Sequence, residues 1–571
     1  MRSSFFEFNV ALSGMNTARQ GTRVASHNMS NLTTPGFSRQ VIAQRASTPL
    51  ATNSRVGMIG TGSEVIGINQ IRDLQLDTRF WNESPVHGLH NVRNNQLTMI
   101  EMAFGELNGL GPTANFEQFF SALQDFHLNP NSPTHRNNVI SSINTLTRSM
   151  QERGMSLIRQ QQDVNREISG MVSVINSLGQ QITTLNENIA RYEQRGGQAA
   201  NDLRDRRALL IDELSQLVNI TVSENNVNGV DRLNIHIDGQ YFLSHGHVQP
   251  LTLVRRETPL HPHDSPGLYD IRIGDDHFRT DSRTLSGELR ALFEIRDGSS
   301  IRDASGNLVN SSNHASYGFQ GIQFKGIPYY ISRLNNMIQT ISNAFNFGVD
   351  RLGNPLPDLG ATHTLPPPGI PLIDPNTGIQ KVDANGNDMY ITVVGGHLRG
   401  HTADNRNPNI PLFVPDAWNP SSPMTADDYA RLANGINIFN FSLNPAILAD
   451  PALFSTALNS HTDGGVDERN LLEGFLNIRN HPQLFREGTI NDFLNSVMAE
   501  LAMDIKDAYA FSESQGDIIE IIHNQRLQVK GVDMQEEMIT MLFFQQQFQA
   551  ASRMISAINE MYDNLINRMG A

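Results

Sequence analysis

The sequence predicts a multidomain α+β protein of elongated shape, with an N- and C-terminal α-helical coiled coil, a long-helix bundle domain and β-rich outer domains. Two observations carry this prediction. Apolar residues recur at alternating steps of three and four in four separate stretches, a spacing typical of long amphipathic helices. Between these stretches lie short β-branched runs with Gly, Asn and Asp turns, and the 571 residues are enough for about four domains.

The first and last stretches each form a terminal seam, which is a row of apolar residues at heptad positions. The two terminal segments carry opposite net charge. Residues 1–40 carry four arginines and one glutamate, whereas residues 532–571 carry five acidic residues and two arginines. Complementary charge favours pairing of the two ends in a coiled coil. We expect the assembly interface at the seam residues Phe8, Met15, Met29, Leu32, Met541, Phe544, Phe548, Ile555, Ile558, Tyr562 and Leu565.

Two longer seams lie in the interior of the chain. One runs from position 140 to 192, and it is interrupted at Thr147, Gly154 and Gln161. Ser132-Pro133 is a helix start signal and Gly196-Gly197 a stop signal, which predicts a single helix over 133–195, roughly 95 Å long. The other seam, from 490 to 529, is expected to be its antiparallel partner.

The remaining segments are predicted to be β-rich or irregular. Alternating runs at 220–222, 233–237, 241–243 and 269–273 indicate a small antiparallel sheet domain. Helical spacing returns at 286–296 and 327–347. Between 350 and 423 lie twelve of the 26 prolines, with one clear strand at 390–394, so long helices are not expected there.

These patterns set the predicted domain order. The two ends, 1–45 and 532–571, are predicted to be coiled-coil helices that pair with each other. A helical bundle domain is predicted to consist of an N-terminal part at 46–216 and a C-terminal part at 485–531. Between these two parts we expect a β-rich outer domain at 217–285, a helical return segment at 286–347 and a Pro/Asn-rich outer module at 348–484.

Composition excludes several classes of function. The net charge of −15 argues against nucleic acid as a partner. The absence of cysteine excludes disulfides and thiolate chemistry. The longest apolar runs fall short of the ~18 residues that a membrane span needs, so membrane insertion is not expected. Glu7 and Asn9 interrupt the apolar residues at the N-terminus, so no cleavable signal peptide is predicted, and the protein is either cytoplasmic or exported by another route.

Few residues suggest chemistry. The pairs His245/His247 and His261/His263 with Asp264 are possible metal ligands, but both pairs stand beside turn residues, and we predict ordinary loops. The segment from Asp383 to Asp388 resembles the start of a calcium loop, although its glycine is misplaced, and a tight turn is expected. Nucleotide-binding, metalloprotease and hydrolase motifs are absent. The sequence therefore predicts no cofactor, no metal and no enzymatic activity.

Motifs near both ends and in the middle of the chain resemble a known family. The N-terminal motifs Ala11-Leu-Ser-Gly-Met-Asn-Thr-Ala-Arg19 and Ser26-His-Asn-Met-Ser-Asn-Leu-Thr-Thr-Pro-Gly-Phe-Ser-Arg-Gln40 resemble the N-terminal signature of flagellar rod, hook and hook-associated proteins. The C-terminal motif Val532-Asp-Met-Gln-Glu-Glu-Met538, with Gln545-Gln-Gln-Phe-Gln-Ala-Ala551 and Asn559-Glu-Met-Tyr-Asp-Asn-Leu565, resembles their C-terminal signature. His27 stands where that family usually has Asn, and Ser30 where it usually has Ala. The middle motif Asn201-Asp-Leu-Arg-Asp-Arg-Arg-Ala-Leu-Leu-Ile-Asp-Glu-Leu214 is similar to the hook-associated members.

The resemblance covers about 1–345 and 485–571 and implies a structural role. It implies an extracellular subunit of the bacterial flagellum that is exported by the flagellar type III exporter and forms a ring joining hook to filament. The implied partners are further copies of itself, with a monomer in solution, the hook protein, a second hook-associated junction protein, and an export chaperone at the C-terminal helix.

Three other functions remain open at this stage. A hook or distal rod protein shares both terminal motifs, but the long seam at 140–192 argues against it. A secreted enzyme housed in 350–480 would need catalytic motifs that the sequence lacks. A cytoplasmic coiled-coil scaffold would be retained in the cell pellet.

Overall fold

The computed structural model describes residues 6–51, 58–105, 111–196, 198–227, 230–278, 280, 282, 284–298, 301–302, 308–309, 324–361, 363–375, 378–383, 386–419, 424–460 and 469–564. Its helices are α1 (Phe6–Ser30), α2 (Leu74–Phe104), α3 (Pro112–Leu128), α4 (Pro133–Gly196), α5 (Asn201–Leu217), α6 (Glu288–Asp297), α7 (Ile327–Phe347), α8 (Gly396–Arg399), α9 (Ala426–Asn434), α10 (Pro445–Ala449), α11 (Asn470–Ile478), α12 (Ile490–Lys530) and α13 (Met534–Asp563).

The strands are short and mostly paired in twos. They are β1 (Gln40–Ala46), β2 (Leu50–Ala51), β3 (Met58–Ile59), β4 (Ser63–Gln70), β5 (Ile220–Val227), β6 (Val230–Ile237), β7 (Gln240–Ser244), β8 (His247–Val248), β9 (Leu251–Arg255), β10 (Tyr269–Ile273), β11 (Asp276–His277), β12 (Ile301–Arg302), β13 (Leu308–Val309), β14 (His363–Thr364), β15 (Ile370–Pro371), β16 (Tyr390–Ile391), β17 (Val393–Val394), β18 (His401–Thr402), β19 (Phe413–Val414), β20 (Ser442–Leu443) and β21 (Ser455–Ala457). This mixture of long helices and small sheets confirms the predicted α+β class.

The N-terminal helix is shorter than predicted. It ends at Ser30, and the chain then turns and enters β1, which pairs antiparallel with β4. The Asn28 amide fixes this turn, because its Nδ2 donates to the Gln40 carbonyl (2.8 Å) and its Oδ1 accepts from the Gln40 N–H (3.0 Å). Gly36 lies in the turn at φ 77°, which a side chain would oppose. The predictions of a helix to residue 45 and of a bundle from residue 46 are therefore wrong for 31–70.

Helix α4 is 64 residues long and lies where the sequence predicts a long helix. The three interruptions of its seam have different structural reasons. At Gly154 the side chains of Ile438 and Phe439 approach so closely that an added Cβ would lie 3.0 to 3.1 Å from them. The Gln161 side chain is buried. Its Nε2 donates to Asp264 Oδ1 (2.8 Å), and its Oε1 accepts from the Ser265 N–H. Thr147 is also buried, and its hydroxyl donates within the helix.

Helix α12 packs chiefly against α2, and not against α4 as the sequence analysis expected. His90 of α2 stacks on Phe511 of α12 with ring centroids 5.0 Å apart, and Asp77 of α2 pairs with Arg526 of α12 at 2.7 Å. Helix α4 instead packs against α3, α5 and α6. A heptad seam shows which face of a helix is buried but not which helix covers it, and α2 was not among the predicted helices.

Residues 220–277 form two antiparallel sheets, one of β5 to β8 and one of β9 to β11. The predicted strands lie at these positions, and the structure adds β8, β9 and β11. The sheet of β5 to β8 is anchored on α4, because the fully buried Phe242 ring lies against Gly179, where an added Cβ would come within 2.6 Å of the ring.

The proline-rich region folds around helix α7. That helix is almost entirely buried, and its polar side chains hydrogen-bond the surrounding loops. Asn346 Oδ1 accepts from the N–H groups of Leu412 (2.8 Å) and Phe413 (2.9 Å), and Asn343 Nδ2 donates to the Ala433 carbonyl (3.2 Å). The predicted boundary at residue 348 therefore cuts through one core. The predicted strand at 390–394 is two strands, β16 and β17, which pair with β15 and β14 respectively.

Candidate assembly site

The two terminal helices lie antiparallel against each other. Phe544 of α13 fills a notch at Gly21 of α1, where an added Cβ would lie 2.5 Å from the ring. One turn away, Ser26 Oγ lies 3.8 Å from Met541 Sδ. Glycine at position 21 therefore permits the close approach of the helices at this level. The terminal seams thus face each other within one chain.

The predicted interface residues differ in exposure. Phe8, Met15, Met29, Met541, Phe544, Ile555 and Tyr562 are half-buried, whereas Ile558 is buried. Leu32 is 41% exposed, because it lies beyond the end of α1, and Phe548 is 38% exposed. Leu565 lies outside the described residues. Their role in contacts between subunits stays a prediction.

A second set of apolar residues on α13, not predicted from the heptad seam, is left in solvent by the terminal pairing. They are Met534, Met538, Ile539, Leu542, Phe543, Met554 and Met561, each between 45% and 69% exposed. A strict heptad count passes over them because they lie off the seam. The i, i+4 spacing of Met534, Met538 and Leu542 was the signal that could have found them.

Arg39 ties the turn after α1 to the start of α13. Its backbone N–H donates to the Lys530 carbonyl (2.8 Å), and its guanidinium pairs with Glu537 (2.6 Å) and Glu536 (2.8 Å). Burial lowers the pKa of Arg39, but the hydrogen bonds to Glu537 and Glu536 outweigh it and raise the pKa overall. Glu537 is almost fully buried, so this pair is shielded from solvent.

The middle motif, now helix α5, connects the terminal segments to the body of the protein. Asp202 accepts from Gln40 Nε2 (2.7 Å) and lies 3.2 Å from His27 Nε2. Asp205 Oδ2 accepts from the Ser38 N–H (2.9 Å), and burial raises the pKa of Asp205. His27, which departs from the family pattern, thus has a polar partner on α5.

The same helix also contacts the long helix α4 and the β-rich domain through two arginines. Arg204 pairs with Glu193 of α4 (2.8 Å) and with Asp231 of β6 (2.7 Å), and these hydrogen bonds raise its pKa. Arg207 is buried and donates to Asn186 Oδ1 at 3.0 Å. Helix α5 therefore contacts both α4, which precedes it in the sequence, and β6, which follows it.

A buried charge cluster joins α2, α5 and α12. Arg526 lies between Asp77 (2.7 Å) and Asp212 (2.9 Å), and its side chain is 2% exposed. Asp77 also pairs with Arg72, and Asp212 accepts from Trp81 Nε1 (2.7 Å). The charges are balanced, as burial requires.

The histidines and the turn singled out in the sequence make local structural contacts. The His245 N–H donates to the Leu233 carbonyl (2.8 Å), and His247 lies in β8. The His261 N–H donates to Asp264 (2.9 Å) and its Nε2 lies 3.0 Å from the Asp297 carbonyl, while the His263 ring lies 5.2 Å from the Phe439 ring in a tilted arrangement. Asp383 accepts from the Asn387 N–H (2.8 Å). Within the described ranges, no three His, Asp or Glu side chains are grouped to hold a metal, and no helix has the length and hydropathy of a membrane span.

Comparisons with known proteins agree with the resemblance of the motifs. Residues 97–353 match the family described as the flagellar hook-associated protein FlgK helical domain, and residues 523–569 match the flagellar basal body rod FlgEFG protein C-terminal family. Flagellar hook-associated protein 1 of Bacillus subtilis is 24% identical over 100% of this chain and 99% of its own length. That of Escherichia coli is 23% identical over 98% of this chain and 99% of its own.

A solved structure, that of the flagellar hook junction protein FlgK from Burkholderia pseudomallei, covers 78% of this chain and all of its own, at 14% identity and a TM-score of 0.46. The matches of the helical domain and of the C-terminal segment indicate a structural protein of the bacterial flagellum. Within that class, the chain is similar over nearly its whole length to flagellar hook-associated protein 1 of these two bacteria.

Proposed function

We propose that this protein is the structural subunit that joins the flagellar hook to the filament, and that filament assembly requires it. The observation that carries the proposal is similarity to hook-associated protein 1 over the whole chain, helical body and both ends included. A rod or hook protein would share the terminal motifs, but it would not account for the match of the helical domain at 97–353.

The internal contacts suit a part that transmits torque. Force on the terminal helix pair passes through Ser38 and Gln40 to α5 and on into α4, and through the Arg526 cluster into α2. These links are ion pairs and hydrogen bonds to carboxylates, and their directional hydrogen bonds resist sliding of one helix along another. The terminal pair and the helical body are therefore expected to move as one unit.

We further propose the partners and the route. The subunit leaves the cell through the flagellar exporter as a monomer, with an export chaperone covering apolar residues of α13, and then forms a ring with further copies of itself. In the flagellum the ring contacts the hook protein on one side and a second hook-associated protein on the other. The apolar residues of α13 that face solvent support such contacts. The subunit carries out no catalysis.

The test is deletion of the gene in the native bacterium, with electron microscopy of the cells and gold-labelled antibody on complemented cells. We expect hooks without filaments, flagellin in the medium, and label at the base of the filament after complementation. Normal filaments in the deletion strain would contradict the proposal. Loss of the hook itself would favour a hook or rod protein.

A further inference from the structure

Helix α1 carries a basic face that its own chain does not neutralise. Arg19 and Arg23 are both exposed, and their i, i+4 spacing places them on one side of the helix, about 6 Å apart along its axis. Among the described residues, neither arginine has an ion-pair partner. Like charges at this spacing repel each other, so the two arginines do not stabilise the helix of a single chain. We call Arg19 and Arg23 the basic face.

Helix α12 carries the opposite charge on the side that faces away from α2. Glu513, Asp517 and Glu520 are exposed and follow each other at steps of four and three, so they share one side of the helix. None of them has an ion-pair partner in the part of the chain that the structure describes. The buried residues of this part of α12, among them Ala508 and Ile522, belong to the other side of the helix. We call Glu513, Asp517 and Glu520 the acidic face.

The two faces match each other in spacing and in access. Glu513 and Asp517 are about 6 Å apart along the axis of α12, which is the separation of the two arginines on α1. Ala510 and Ser514 are exposed beside the acidic face, and their small side chains leave room for another helix to approach. A guanidinium can donate two parallel hydrogen bonds to a carboxylate, so arginines suit such a surface.

Within one chain the two faces belong to different helix pairs, because α1 packs against α13 whereas α12 packs against α2. Gly21, which lies between the two arginines in the sequence, contacts Phe544, about 16 Å along α13 from Asp533. The acidic residue Asp517 lies about 20 Å along α12 from Lys530, on the other side of the connection between the two helices. Each face is therefore available to another molecule.

We propose that the basic face of α1 in one copy of this chain binds the acidic face of α12 in a neighbouring copy. The inference rests on the proposed function, since it names a contact between adjacent subunits of the ring. Charge complementarity identifies the second copy as the partner, because the same chain carries two exposed arginines and three exposed carboxylates that it does not pair. Binding also relieves the repulsion within each face.

The contact also determines the type of assembly. It joins two different surfaces, so a copy that uses its basic face toward one neighbour keeps its acidic face for the next. Such a heterologous contact repeats from copy to copy and closes into a ring when the rotation between copies allows it. A twofold dimer would use both faces of both copies at once and would stop at two subunits.

Cysteine cross-linking in assembled flagella tests the contact, because the chain has no cysteine of its own. A full-length variant with Gln20→Cys beside the basic face and Ser514→Cys beside the acidic face keeps all five charges. Flagella isolated from the deletion strain that expresses it are treated with a short thiol-to-thiol cross-linker. We expect a ladder of oligomers larger than the dimer. The matched control replaces Ser514→Cys with Ser173→Cys, an exposed serine of α4, and gives no ladder.

Charge reversal provides the second readout. Arg19→Glu with Arg23→Glu reverses the basic face, and Glu513→Lys with Asp517→Lys reverses the acidic face. Each reversal is expected to be secreted and to melt like the wild type, because the charges are exposed, but to lose most of its filaments. The chain that carries both reversals is expected to regain them. The control reversal Asp275→Lys with Asp276→Lys, two exposed acidic residues of the β-rich domain, is expected to swim normally and not to rescue the reversed basic face.

The outcomes separate this contact from the function on which it rests. Flagella that contain the protein but give no ladder, a ladder that stops at the dimer, or a ladder of equal strength from the control would overturn the contact and leave the junction function standing. So would normal filaments with either reversed face, or failure of the combined reversals to restore filaments when both single reversals are secreted and folded. Absence of the protein from wild-type flagella would overturn both.

Discussion

The buried charge cluster at Arg526 predicts a large and specific loss of stability. Replacing Arg526 with Met keeps the apolar stem near Phe80 but removes the guanidinium that lies 2.7 Å from Asp77 and 2.9 Å from Asp212. Breaking a buried pair from one side typically costs 3–5 kcal/mol. Since Asp77 keeps Arg72 as a partner, we expect the lower end, about 3 kcal/mol.

The cluster contains its own reporter. The chain has two tryptophans, and Trp81 donates to Asp212 Oδ1 at 2.7 Å, so a Trp418→Phe background leaves a single tryptophan, at the cluster. Guanidinium unfolding of Arg526→Met in this background, followed by Trp81 fluorescence, gives the free energy of unfolding of this region.

Two further variants make the measurement decisive. Arg166→Met breaks an exposed ion pair with Asp163, and we expect it to cost less than about 0.5 kcal/mol. Adding Asp212→Asn to Arg526→Met removes an uncompensated carboxylate, and about 1 kcal/mol of the loss is expected to return. An Arg526→Met loss no larger than that of Arg166→Met would refute the assignment of this cluster as a structural joint.

Two other predictions concern the ends and the outer region. Ile555→Asp places a carboxylate on the half-buried seam of α13, and we expect lost filament attachment with unchanged melting of the helical body; normal swimming would contradict this. His397 is buried, its Nδ1 lies 2.9 Å from the Ile410 carbonyl and its Nε2 accepts from the Ser455 N–H, and burial lowers its pKa to about 4. In the unfolded chain His397 has an ordinary pKa near 6.5, so as the pH falls the unfolded chain is protonated before the folded one. The contribution of neutral His397 to the free energy of unfolding is therefore full above about pH 6.5 and decreases by about 3 kcal/mol as the pH falls to 4. Urea titrations of wild type and His397→Gln at pH 7 and pH 4.5 measure this, and an equal decrease in both would refute it.

The extent of long single helices could be predicted from the sequence. The interval from Ser132-Pro133 to Gly196-Gly197 predicts the position of α4, because capping signals and a continuous seam are local properties of the chain. Strands β5, β6, β7 and β10 of the β-rich domain were predicted for the same reason. The interruption of the seam at Gly154 was visible in the sequence, but its cause was not. The cause is contact with Ile438, which is almost three hundred residues away along the chain.

Pairing between distant elements was not readable. The seam of α12 predicts a buried face, but its cover, α2, follows from the tertiary structure alone. The strand pair β1/β4 was missed because Asn28 fixes the turn through hydrogen bonds that no spacing rule encodes. Helix α7 is buried together with its asparagines because their side-chain amides hydrogen-bond the surrounding loops. A search for apolar helix faces does not predict burial of this kind.

The candidate site was partly predictable. The seam residues of α1 and α13 follow from heptad spacing, and the resemblance singled out α5 without giving its residues a role. The contacts of Asp202 and Asp205 with the terminal segment, and of Arg204 with α4 and β6, provide that role. The i, i+4 spacing of Met534, Met538 and Leu542 is visible in the sequence. Their exposure required the structure, because it depends on what the terminal pairing leaves uncovered.

The central claim is that the protein is a structural part of the junction between hook and filament. The most direct measurement is immunogold electron microscopy of intact flagella with an antibody against this chain. The account predicts label confined to a narrow band where the curved hook meets the filament. Label along the whole hook, along the filament, or only in the cell body would contradict it.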